Sequence, residues 1–105
     1  MAKYLIRAKY NVSGIQGAVK EGFAAREAHV RGLIEAGGGK TEAFYFTWGD
    51  QDVVGIVECD QAAAIAFSLA VNQSGAVSTT TTPLITAAEM DAGRAKLPQY
   101  RAPGA

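Results

Sequence analysis

The stretch that decides the fold runs from residue 44 to residue 60 and reads FYFTWGDQDVVGIVECD. Two apolar runs flank a short polar connection that contains Gly49, Asp50 and Asp52. Runs rich in aromatic and β-branched residues are typical of strands, and a short connection with glycine is typical of a hairpin. We therefore predict antiparallel strands over residues 40–48 and 51–58. The carboxylates raise a second question, namely whether the connection is only a turn or also a chemical site.

The chain before this hairpin predicts one strand and one long helix. Residues 3–10, KYLIRAKY, place apolar side chains on alternate positions, as a half-buried strand does. Ser13 fits the first residue of a capping box, so we predict a helix from there to the glycine run at residues 37–39. Glycine weakens a helix interior, so Gly22 predicts a kink or a break.

The chain after the hairpin predicts a second helix, a fourth strand and a short last helix. Asp60 is a good N-cap for a helix over residues 61–73, and residues 76–84 are dense in β-branched side chains. Thr86 begins a second capping box. We assign residues 1–90 to one domain. Residues 91–105 are the end of the last helix and a polar tail, which is either disordered or an arm that lies on a partner.

The order β-α-β-β-α-β predicts an α+β, ferredoxin-like fold with an antiparallel four-stranded sheet. Two helices cover one face of such a sheet, yet both faces of the hairpin are apolar. Phe44, Phe46 and Trp48 are predicted to share one face with Glu42, and Tyr45 lies on the other face. We expect a second chain to cover the open face, giving a homodimer or a higher oligomer with a barrel-like core.

Composition excludes several classes of protein. Ten basic residues balance ten acidic ones, so no nucleic-acid or anionic-membrane partner is predicted. No stretch is long and apolar enough to span a bilayer, and the N-terminus is not a signal peptide, so we expect a cytoplasmic protein. One cysteine, Cys59, and one histidine provide no metal cluster, and no cofactor is predicted.

Several local motifs together resemble the GYD domain family, over most of the chain from about Tyr4 to Glu89. The matching stretches are Ala25-Arg26-Glu27, Gly38-Gly39-Lys40, Glu42-Ala43-Phe44-Tyr45-Phe46, Gly49 with Asp52-Val53-Val54, Ser74-Gly75-Ala76-Val77 and Thr82-Pro83-Leu84. Gln51 stands where the Gly-Tyr-Asp signature of that family has tyrosine. The resemblance implies membership of the dimeric α+β barrel proteins and therefore a homodimer. It implies no particular reaction.

The candidate ligand-binding residues are Arg26, His29, Tyr45, Trp48 and Asp52. Arg26 falls inside the apolar stripe of the first helix, where a charge needs a partner, and Asp52 is the expected one. His29 is the obvious general base, and Tyr45 and Trp48 carry polar tips on apolar bodies. We predict a small-molecule-binding or accessory protein. One alternative is a cofactor-independent oxygenase or isomerase acting on an aromatic or conjugated substrate, which requires Tyr45, Trp48 and His29 to converge on one cavity. The other is a purely structural assembly module.

Overall fold

The computed structural model describes residues 1–105 and contains one sheet with three helices on one of its faces. In chain order the elements are β1 Ala2–Tyr10, α1 Val12–Glu21, α2 Phe23–Ala36, β2 Lys40–Phe46, β3 Val53–Cys59, α3 Gln61–Gln73, β4 Val77–Leu84 and α4 Ala87–Arg94. The strands are antiparallel in the order β2-β3-β1-β4. The predicted α+β, ferredoxin-like fold is confirmed, with the first helix divided in two and α4 added at the end.

Strand register divides the side chains between two sheet faces as the alternation predicted. Tyr4, Ile6 and Ala8 of β1 pair with Val57, Gly55 and Val53 of β3, and all six are buried beneath the helices. We call this side the helix face. The opposite side, which no helix covers, we call the open sheet face. Its central residues are Leu5, Arg7, Ala43, Tyr45, Val54, Ile56, Thr80 and Thr82.

The first helical segment differs from the sequence prediction at its start. Asn11, not Ser13, is the N-cap, because its side-chain oxygen accepts the Gly14 N–H at 2.8 Å. The Asn11 amide also donates to the Gly75 carbonyl, which ties the start of α1 to the α3–β4 connection. The break predicted at Gly22 is confirmed: its φ of 100° is accessible mainly to glycine, and it separates α1 from α2.

The hairpin that decides the fold is confirmed, but its connection is longer than the sequence indicates. β2 ends at Phe46 and β3 begins at Val53, so residues 47–52 form a loop and Trp48 is not part of a strand. The loop is closed by Thr47, whose N–H donates to the Asp52 carbonyl at 2.8 Å and whose hydroxyl donates to the Gln51 carbonyl at 2.6 Å. The sequence prediction extended both strands into the loop because Trp48 continues the aromatic run of β2 and Gln51 directly precedes the alternation of β3.

A β-bulge in β2 corrects the predicted faces of that strand. The register shifts between Thr41 and Ala43, so Thr41 and Phe44 both face the helices. Glu42 is turned to the other side, where its carboxylate lies 2.9 Å from Lys3 Nζ. That hydrogen-bonded ion pair raises the pKa of Lys3 and lowers the pKa of Glu42. Glu42 therefore does not share a face with Phe44, because the bulge adds one residue to the alternation.

The C-terminal segment stands apart from the sheet and helices. α4 has the predicted capping box, in which the Glu89 N–H donates to the Thr86 hydroxyl at 3.1 Å. Every residue from Ile85 to Ala105 is exposed. The radius of gyration is 17.0 Å, against about 13 Å for a compact chain of this length. We call residues 85–105 the C-terminal arm.

No helix in the structure has the length and apolar character needed to cross a membrane.

Candidate functional site

A cavity of about 530 Å³ lies between the helix face of the sheet and the helices α1, α2 and α3. Its floor is built by all four strands, with β1 and β3 at the centre. The lining includes Ile6, Ala8, Tyr10, Gly14, Gly17, Ala18, Glu21, Arg26, His29, Val30, Leu33, Ile34, Thr41, Phe44, Val53, Gly55, Val57, Phe67, Ala70, Val71, Val77 and Thr79. Its size and mostly apolar lining are those of a small-molecule pocket.

Small residues at facing positions leave this space open. Ala8 of β1 and Gly55 of β3 lie on neighbouring strands at the centre of the floor, where larger side chains would extend toward the helices. Gly14 and Gly17 line the cavity from α1, and Ala70 lines it from α3. Because protein interiors normally pack without voids of this size, the pattern of small residues determines the shape of the cavity.

Arg26 is the cationic group of the cavity, and its partner is not the predicted one. The side chain is 27% exposed, and Nη1 lies 3.5 Å from Glu21 Oε2 across the Gly22 break. The guanidinium makes no hydrogen bond within the chain, although it has five N–H donors. By contrast, Arg31 on the same helix donates from Nε to Glu27 at 2.8 Å and lies outside the cavity. Arg26 therefore has donors free for a ligand.

His29 lines the same cavity, one turn of α2 beyond Arg26. Tyr10 and Thr41 add hydroxyl groups to the lining at other points of the floor. The Thr41 hydroxyl is buried and has no hydrogen-bond partner, which is uncommon for a buried polar group. The structure thus brings together two of the predicted residues, Arg26 and His29, in an apolar surrounding with a few hydroxyl groups.

Asp52 does not pair with Arg26, so that prediction is wrong. One carboxylate oxygen accepts the Tyr10 N–H at 2.9 Å, and the other lies 3.6 Å from Lys9 Nζ. The Asp52 N–H donates to the Ala8 carbonyl at 2.8 Å. Asp52 therefore fastens the hairpin connection to the end of β1, outside the cavity. It could not meet Arg26 because α2 begins only after the Gly22 break, which places Arg26 beside Glu21 instead.

Tyr45 and Trp48 do not meet His29 in the cavity. Tyr45 is on the open sheet face and is 67% exposed, so the sheet itself separates it from the helices. Trp48 is fully exposed in the loop after β2. Ligand binding by these two residues stays a prediction, and any ligand they bound would occupy another surface of the protein.

Cys59 is a buried free cysteine, and the chain contains no cluster of metal-binding side chains. Cys59 is 3% exposed, and burial raises the pKa of its thiol, which keeps the thiol protonated and poorly nucleophilic. No group of three or more His, Cys, Asp and Glu side chains could hold a metal ion.

Sequence reasoning missed Glu21, Thr41, Phe44 and Phe67 as cavity residues. Glu21 immediately precedes the predicted break at Gly22, and this position was the one available signal that it lies near Arg26. The roles of Thr41 and Phe44 depend on the β-bulge, which the alternating pattern does not reveal.

Comparison with known proteins identifies the chain at the level of a family. The sequence model of the GYD domain matches residues 4–93 of the 105 residues, which is most of the chain. No curated protein and no solved structure matches it.

Proposed function

We propose that this chain, which belongs to the GYD domain family, binds a small apolar molecule that carries a carboxylate in the cavity between sheet and helices. The observation that carries the proposal is Arg26, a guanidinium that makes no hydrogen bond within the chain and lies in a mostly apolar lining. A carboxylate can accept two parallel N–H bonds from guanidinium, and such charge-assisted pairs are the strong ones.

The apolar lining supplies the second part of the proposed recognition. Ile6, Val30, Leu33, Val57 and Phe67 present hydrocarbon surface to the cavity from the sheet and from two helices. Burial of a ligand's apolar body contributes about 25 cal/mol per Å² removed from water. Arg26 lies at the α1–α2 break, beside the partly exposed Glu21, so the carboxylate would bind there and the apolar body deeper inside.

The Glu21 carboxylate is expected to move away from Arg26 when the ligand binds. It contacts Arg26 through a single ion pair at 3.5 Å, and its own side chain is 43% exposed. Exposed ion pairs of this kind contribute little free energy. A ligand carboxylate with two hydrogen bonds to the guanidinium therefore outcompetes it, and the Glu21 side chain turns to solvent.

The test compares decanoate with its neutral counterpart decan-1-ol by titration calorimetry. Arg26→Met keeps an unbranched, flexible stem but removes the charge and the N–H donors. It should weaken decanoate binding at least about tenfold and leave decanol binding unchanged, since a charged hydrogen bond is worth about 1.5–3 kcal/mol. Arg31→Met is the matched control on α2 and should change neither affinity. If Arg26→Met and Arg31→Met bind decanoate equally, the proposed anchor is wrong.

We further propose that the protein works in the cytoplasm as a homo-oligomer, in which a second copy covers the open sheet face. Leu5, Val54 and Ile56 on that face are only half-buried, and Tyr45 is 67% exposed. The accessible surface is 7389 Å², about 1,800 Å² above the roughly 5,600 Å² expected of a compact monomer of 11.0 kDa. Obligate dimers bury about 1,000–2,500 Å² on each partner.

The oligomer is tested by sedimentation velocity across the micromolar range. Tyr45→Glu places a charge on the open sheet face and should dissociate the assembly. Val19→Glu on α1 changes a side chain of equal exposure, 67%, away from that face and should not. A wild-type protein that sediments as a monomer throughout would refute this part of the proposal.

His29 alone favours one alternative, an enzyme of the cofactor-independent oxygenase or isomerase type, in which Tyr45 and Trp48 take no part because they lie outside the cavity. Its imidazole lines the cavity next to the proposed carboxylate anchor, so it could take a proton from a bound substrate. In that case His29→Gln should abolish turnover of a conjugated substrate and leave its affinity unchanged. Catalysis of proton exchange into the bound substrate, measured by NMR, separates this enzyme from a binding protein.

A further inference from the structure

We propose that the C-terminal arm packs on a second copy of this chain, with its apolar side chains as the contact. The large apolar residues of the arm are all well exposed: Ile85 55%, Met90 64%, Leu97 77% and Tyr100 79%. This inference rests on the proposed homo-oligomer and adds to it a segment outside the sheet.

α4 is too short to be stable without a surface to pack on. It has eight residues, Ala87–Arg94, and none of them is buried. Helices shorter than about 12–15 residues are marginal in water, and most helical stability in proteins comes from packing of an apolar face. The capping box of Thr86 and Glu89 defines where α4 begins but contributes too little to maintain so short a helix alone. The helix therefore needs a surface to pack on.

The arm also carries an apolar side that could make this contact. Met90 and Leu97 are seven residues apart, which is two helical turns, and the turn that follows α4 continues to Leu97 through its N–H bond to the Arg94 carbonyl at 3.1 Å. Gly93 lies between them and adds no side chain that would obstruct close approach. The two large side chains can thus bind the same partner surface.

The position of the arm indicates a second copy as the partner. The arm begins after Leu84 of the edge strand β4, whose side chain shares the open sheet face with that of its partner Lys3. A second copy seated on the open sheet face would lie directly beside that point. The molecule is 56 Å long in its greatest dimension, so the arm projects far enough to lie along such a neighbour. The excess surface of about 1,800 Å² includes the arm and falls within the range for obligate dimers.

The test is made in the full-length chain with Met90→Glu and Leu97→Glu combined. Both side chains are exposed in the single subunit, so its fold should tolerate the changes. Sedimentation equilibrium should show a dissociation constant at least about a hundredfold higher than that of the wild type, because burial of each large apolar side chain lowers the dissociation constant about tenfold or more. Leu69→Glu on α3, where the side chain is 65% exposed, is the matched control and should leave the dissociation constant unchanged.

Hydrogen exchange provides the second measurement. The amides of α4 in the wild type should exchange more slowly as protein concentration rises through the dissociation constant, and those of the double variant should exchange fast throughout. Protection of α4 that is independent of concentration would show that the arm folds back on its own chain and would overturn the inference. If Tyr45→Glu dissociates the assembly while the arm variant does not, the homo-oligomer stands and the role of the arm is refuted.

Discussion

Filling the cavity from its floor should stabilise the protein and prevent ligand binding. Ala8 lies on the central strand β1, is 8% exposed and lines the cavity. Ala8→Ile adds three carbons, worth about 2.4 kcal/mol at roughly 0.8 kcal/mol per buried methylene. Ordering the larger side chain costs about 0.5–1 kcal/mol. The free energy of unfolding should therefore rise by about 1.5 kcal/mol, and Tm by about 6–12 °C.

Urea unfolding followed by circular dichroism measures this change, at one protein concentration because an oligomer is stabilised by mass action. Ala2→Ile is the control in the same strand, at an exposed position where the change should stay within about 0.5 kcal/mol. Decanoate affinity should fall in Ala8→Ile and not in Ala2→Ile. If the free energy of unfolding of Ala8→Ile instead falls by about 1–3 kcal/mol, as it does in overpacked cores, the cavity has no space for the larger side chain and the prediction is wrong.

Three further outcomes follow from the local contacts. Gly14→Ala should lower the free energy of unfolding, measured in urea, by about 1–3 kcal/mol, because a Cβ there would overlap a backbone carbonyl of the α3–β4 connection. Gly32→Ala, where a Cβ meets open space, should raise it by about 0.5–1 kcal/mol. Equal effects of the two changes would contradict this prediction. Asp52→Ala should lower the free energy of unfolding by about 1–3 kcal/mol, because the Tyr10 N–H at the end of β1 loses its acceptor. Asp52→Asn keeps an acceptor oxygen and should restore most of that stability. An Asn variant as unstable as the Ala variant would show that the ion pair with Lys9 is the dominant contact. The Thr86 N–H and hydroxyl bonds lower the pKa of Glu89, so this stabilisation is present above the ordinary glutamate pKa of about 4.3 and is lost as the pH falls through the lower folded-state pKa. Thr86→Ala removes the hydroxyl bond and keeps the backbone N–H bond, which is the larger cause. An NMR titration should therefore show the pKa of Glu89 rising part of the way to its ordinary value, and an unchanged pKa would contradict the assignment.

Much of the fold was predictable because its signals are local. Asp60 and Thr86 are N-caps whose side chains accept from the third residue of the helix, and such a motif is readable from a few adjacent letters. Strand alternation likewise assigned Val54 and Ile56 to one face and Val53 and Val57 to the other. These features depend on neighbours in sequence, so they do not require the tertiary structure.

The features of the fold that the sequence did not predict depend on contacts between residues far apart in the chain. The break at Gly22 was anticipated, but the placement of α1 and α2 on either side of it was not. Val19 in α1 is 67% exposed although it is apolar, and Arg26 in the first turn of α2 lies beside Glu21 and not beside Asp52. The bulge near Glu42 and the longer hairpin loop arise from pairing with β3, which the pattern of one strand cannot show. Two of the five predicted residues, Arg26 and His29, therefore lie in the candidate site.

A crystal structure of the protein with decanoate would show whether the cavity binds an apolar carboxylate through Arg26. We expect the carboxylate within hydrogen-bond distance of the Arg26 guanidinium, the alkyl chain between the sheet and helices, and the Glu21 side chain turned toward solvent. Decanoate bound instead on the open sheet face beside Tyr45, with the cavity unoccupied by ligand, would refute binding through Arg26.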